Sequence, residues 1–193
     1  MTRAFESSAP LVLVLILLAQ RLGAQDSDYK SPLFENWKKN GELRQEKQVV
    51  DKELTLTLWT QHKSFDVSAF LEDKDTESFF NDVLDVATWA ATFADEILDG
   101  PVREYNLVLT LDYPKDGVSS AIRGTNALCL NVEKWHERMY SRKSRKEVLF
   151  QSAAHEFFHV QQYAHGPKTA KFWREFAAML WEAAAIVKRG DES

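Results

Sequence analysis

Stretches whose apolar residues recur at every second position alternate along this chain with stretches where they recur at every third or fourth. The run Leu54-Thr55-Leu56-Thr57-Leu58, inside Glu53 to Trp59, has period two and predicts a strand with one buried face. From Glu77 to Leu98 the apolar residues Phe80, Val83, Leu84, Ala87, Ala90, Ala91, Ala94 and Leu98 step by threes and fours, which predicts a long helix ended by Gly100-Pro101. Strand character returns over Tyr105 to Leu111. A loop is expected through Pro114 to Gly124, and Ala127 to Val132 reads as a third, buried strand leading into a short helix over Glu133 to Tyr140. Ser144 with Glu147 makes a capping box and Gly166-Pro167 a stop, so residues 145 to 165 read as one helix, and Thr169 to Val187 as another. This is an α+β order, with the sheet laid down ahead of the last two helices.

Ahead of residue 53 the pattern weakens. Residues 1 to 24 combine Arg3, an apolar run from Leu11 to Ala19 and the small pair Gly23-Ala24, the layout of a secretory signal peptide cleaved after Ala24. The apolar run is too short to cross a bilayer of about 30 Å, so the expectation is a secreted protein with no membrane association after cleavage. Residues 25 to 52 are charged and polar, with Phe34 and Trp37 as isolated anchors. They read as a loosely held arm in front of one globular domain over residues 53 to 193. A net charge of −5 gives no electrostatic case for nucleic acid. Arg142, Lys143, Arg145 and Lys146 read as a solvated face. The single cysteine, Cys129, has no partner for an internal disulfide and is expected to pack within its strand.

The chemistry concentrates in His155-Glu156-Phe157-Phe158-His159. Four helical steps turn through about 400°, so the two imidazoles lie about 40° apart on one face and can grip one cation. Glu156 stands beside them, where its carboxylate can act as general base on a water without ligating the metal. This is the H-E-x-x-H arrangement of zinc hydrolases. A zinc held for hydrolysis generally has a third protein ligand. His165 has metzincin spacing, but Gln162 occupies the position where that pattern has glycine, and a helix continuing past it turns His165 about 120° away. Glu175 and Glu182, seven residues apart on the next helix, project from nearly the same face.

The order of elements resembles a zincin metallopeptidase, in which a twisted sheet packs over the H-E-x-x-H helix. Within that group, His155-Glu156-Phe157-Phe158-His159-Val160-Gln161-Gln162 and Trp181-Glu182-Ala183-Ala184-Ala185 are similar to gluzincin patterns. The resemblance implies zinc on His155, His159 and Glu182, with Glu175 the alternative third ligand, favoured by a tight turn at Gly166-Pro167. The unused glutamate is expected to support a ligating histidine or to pair with Lys171 or Arg174. It also implies that the stretch from Gly124 to Val132 borders the cleft and pairs with extended peptide or protein substrates. The eleven residues after Glu182 are too few for the C-terminal subdomain that supplies such enzymes with an oxyanion donor, leaving Tyr163, His165, Tyr140 and His136 as candidates. The expected activity is zinc-dependent peptide hydrolysis by a secreted enzyme. The rival expectation is a secreted zinc-binding interaction module that keeps the fold with little or no turnover.

Overall fold

The computed structural model describes residues 31–51, 53–61, 76–98, 102–139, 145–165 and 171–192. The expected signal peptide, residues 1 to 24, lies outside them, as do the turn at Gly166-Pro167 and the residues between Met139 and Arg145. The fold is α+β. Its described elements are α1 (Leu33–Lys39), β1 (Leu43–Asp51), β2 (Leu54–Gln61), α2 (Thr76–Leu98), β3 (Glu104–Thr110), β4 (Ser119–Ala121), β5 (Ala127–Asn131), α3 (Val132–Met139), α4 (Arg145–His165) and α5 (Lys171–Glu192). The strands form one mixed sheet in the order β1-β2-β3-β5-β4, parallel at β2/β3 and β3/β5 and antiparallel at both edges.

The period-two strands sort their side chains between two layers. Leu54, Leu56 and Leu58 of β2, Tyr105, Leu107 and Leu109 of β3, and Leu128 and Leu130 of β5 enter the main core with α2, α4 and α5. The intervening Val108, Ala127 and Cys129 meet Phe34 and Trp37 of α1 on the other face. All five residues of β5 are therefore buried. Burial, with the charge of Glu156 adding to it, pushes the Cys129 thiol well up from its ordinary range, so the residue packs rather than reacts.

Residues 33 to 51 are not the loose arm expected from their polarity. Phe34 and Trp37, three apart on α1, cover the sheet, and Gly41 (φ 68°) closes α1. In that closure Glu42 N–H donates to Trp37 O at 2.9 Å and Gly41 N–H to Lys38 O at 3.1 Å, a Schellman arrangement. β1 then pairs along β2. The expected loop over Pro114 to Gly124 likewise contains a strand, β4. This changes the reading of the cleft, because β5 is flanked by β3 and β4, and the free edge on that side of the sheet belongs to β4 rather than to the Gly124–Val132 stretch.

Behind the sheet, α2 lies along α4, its Ala87, Ala90, Ala91 and Ala94 fully buried and small enough for close approach. α4 runs through the middle of the protein, with Leu149, Phe150, Phe157, Phe158 and Val160 buried around it. α5 packs on α4 through Ala177, Ala178, Trp181 and Ala185. Trp181 stacks on Phe158 (centroids 5.1 Å apart) and tilts against Phe93 (4.7 Å), fixing the rotation of α5 about its axis. None of the described helices is long and apolar enough to cross a membrane.

Candidate metal centre

α4 stays helical through Gln162 to His165, so the chain does not turn back at the metzincin glycine position. The side chain of His165 lies outside the described ones. His155 and His159 bring their Nε2 atoms to 3.1 Å from each other. From α5, Glu175 Oε2 reaches 3.5 Å from each of those nitrogens. Among the described residues, His155, His159 and Glu175 are the group whose ligand atoms converge closely enough for one metal ion.

The triangle itself tests the fit. With edges of 3.1, 3.5 and 3.5 Å, it has a point about 2.0 Å from all three corners, against zinc bonds of about 2.0 to 2.2 Å to imidazole and carboxylate. His155, His159 and Glu175 would therefore hold a cation of that size at ordinary bond lengths. Two imidazoles, each giving up any extra proton to bind, and one carboxylate suit a borderline divalent ion such as zinc.

Glu182, the preferred third ligand on sequence grounds, meets the opposite side of the ring. Its Oε2 lies 3.4 Å from Nδ1 of His155. A histidine bound through Nε2 points Nδ1 away from its metal, so this contact supports the ring and does not join the triangle. The contacts His159–Glu175 and His155–Glu182 run in opposite order along the two helices. α5 thus runs back along α4, and the glutamate nearer the start of α5 is the one that reaches the triangle.

Side-chain exposure rises from 5% at His159 to 18% at His155 and 46% at Glu175, so the cluster opens toward solvent on the α5 side. Burial alone lowers a histidine pKa. At His155 it is outweighed by hydrogen bonding to Glu175 and Glu182 and by the charge of Glu156, and the imidazole rises to about 9. The same hydrogen bonds, from His155 and then His159, hold Glu175 well below the usual carboxylate range.

Glu156 is buried between α4 and the sheet edge. Its Oε1 accepts from Ser119 Oγ at 2.9 Å and its Oε2 from the backbone N–H of Ala121 at 2.6 Å. Ser119 gave no sequence signal, since a three-residue strand reading Ser-Ser-Ala has neither length nor hydrophobic period to mark it. The ring of Tyr163, one turn beyond His159, lies nearly parallel to it (15°, centroids 6.0 Å apart). Burial raises the Tyr163 phenol, the nearby cations Arg174 and Arg123 oppose that, and Glu156 and Glu175 add to it, so the group keeps its proton and can donate. Of the other proposed oxyanion donors, His136 lies on α3, and the side chains of Tyr140 and His165 are outside the described residues. Gln162 accepts from Nδ1 of His159 at 2.8 Å.

No protein-family model matches this chain, and a comparison with curated proteins found no match, so the chemistry of the cluster is read from its own geometry.

Proposed function

We propose that this protein is a secreted zinc-dependent metallopeptidase of the zincin type, with His155, His159 and Glu175 as metal ligands and Glu156 as general base. The observation that carries the reading is the convergence of two Nε2 atoms and one carboxylate oxygen on a common point, beside a buried glutamate of the same helix. The sheet adds support, because its edge strand β4 packs on the H-E-x-x-H helix, and an edge of that kind offers main-chain partners to an extended peptide. Export rests on the pattern of residues 1 to 24.

When bound, zinc supplies Lewis acidity, polarising a carbonyl and acidifying water. The protein's own groups do the rest. Glu156, with its rotamer fixed by Ser119 and Ala121, takes the proton of the attacking water and returns it to the leaving amine. Tyr163, protonated and packed on His159, is the donor assigned to the developing oxyanion. Glu182 holds His155 in place through Nδ1.

The test is hydrolysis of a quenched-peptide library by the unsubstituted protein and by Glu156→Gln, with zinc content measured in both. The substitution should lower turnover at least about 100-fold, in line with the contribution of a general base, while zinc stays bound. Full activity in E156Q would overturn the role of Glu156. Zinc binding without any chelator-sensitive cleavage by the unsubstituted protein would instead favour the interaction module.

A further inference from the structure

We infer that Gln162 is a positioning residue that fixes the tautomer and plane of His159 and thereby sets the affinity of the cluster for its metal. The inference rests on the metal reading above. Gln162 follows His159 by three residues on α4, which brings the two side chains together on one face of the helix. Both are buried, and His159 Nδ1 lies 2.8 Å from Gln162 Oε1.

An amide oxygen can only accept, so this contact requires the imidazole proton on Nδ1. That leaves the lone pair on Nε2, the atom facing His155 Nε2 at 3.1 Å and Glu175 Oε2 at 3.5 Å. The other tautomer would set two lone pairs against each other at Nδ1 and put a proton where the cation binds. Tyr163 closes the second degree of freedom, because its ring lies almost parallel to His159 and limits rotation out of that plane. The two imidazoles are thus supported unequally. His155, nearer to solvent, has the carboxylate of Glu182 at Nδ1, whereas the buried His159 has a neutral amide. An amide supplies the acceptor without adding a fourth carboxylate to Glu156, Glu175 and Glu182 at a place with little water to solvate it.

The test compares zinc affinity, by competition with a chromophoric chelator, in the unsubstituted protein, Gln162→Leu and Gln162→Glu, with far-UV circular dichroism as the fold control. Leucine removes the acceptor and should weaken zinc binding about 10- to 100-fold, while glutamate, which keeps an acceptor, should recover most of it. A second measurement needs no variant. Imidazole ¹⁵N shifts of the metal-free protein should show His159 protonated at Nδ1 and not at Nε2. Unchanged zinc affinity in Q162L, or the His159 proton found on Nε2, overturns the inference. If the unsubstituted protein binds no zinc at all, the metal reading fails separately, and the ¹⁵N result still decides what Gln162 does.

Discussion

Replacing Glu175 or Glu182 with glutamine keeps side-chain length and helix propensity while removing one negative charge, so the pair separates a ligand from a supporting residue on the same helix. Zinc sites with four protein ligands bind with about 10 to 16 kcal/mol, or about 3 kcal/mol per ligand, so losing Glu175 is expected to weaken zinc binding about 100-fold or more. Glu182 touches only the far nitrogen of His155, at 3.4 Å, and its removal should cost the smaller sum typical of an orienting partner, about 10-fold and no more than about 100-fold. Chelator competition at one pH, on both variants and the unsubstituted protein, should place E175Q about tenfold weaker than E182Q. If E182Q loses more zinc than E175Q, or E175Q binds as tightly as the unsubstituted protein, the triangle has been assigned to the wrong glutamate.

Two further outcomes follow from packing and charge. Trp181→Ala empties the space between Phe93 and Phe158 and should cost about 3 to 5 kcal/mol in urea unfolding; a loss under about 1 kcal/mol would mean that α5 is not anchored there. In chelator-treated protein, His155 has a folded pKa of about 9 against an ordinary 6.5, so the stability it contributes is complete below 6.5 and drains away as pH rises through 9. The full effect is at most about 3 kcal/mol, and unfolding midpoints that stay level or climb between about pH 6 and 10 would contradict the ion-pair geometry.

The long helices were legible because their apolar positions keep the helical period and their ends carry punctuation. α2 begins at Thr76 against an expected Glu77, and α4 spans Arg145–His165 as Ser144 and Gly166 imply. β1 was not legible, because its exposed, charged sequence becomes a strand only through the ladder that β2 offers it. α1 is hidden for a related reason: about two turns of helix have two anchors, Phe34 and Trp37, and no period to display. At the site, His155, Glu156 and His159 came from spacing alone. The two glutamates could not be ranked from sequence, because Trp181-Glu182-Ala183 is a local pattern, whereas which carboxylate meets the histidines depends on how α5 lies against α4. Trp181 packs against Phe93 and Phe158, and Glu175 Oε2 is the carboxylate oxygen that comes within 3.5 Å of both Nε2 atoms.

The bonds at β4 bear on how the molecule treats its neighbours. Val118 O accepts from Asn131 and Ile122 N–H donates to Ala127, so the alternation of an antiparallel ladder turns the N–H of Ala121 outward. An outward amide on a sheet edge invites any passing extended polypeptide, including the unfolded chains from which aggregates grow. Here Glu156 has already claimed that donor from within. An incoming strand must outbid a carboxylate of the same molecule for its first handhold, a filter that discourages casual adhesion and favours only guests with enough additional contacts to win the exchange.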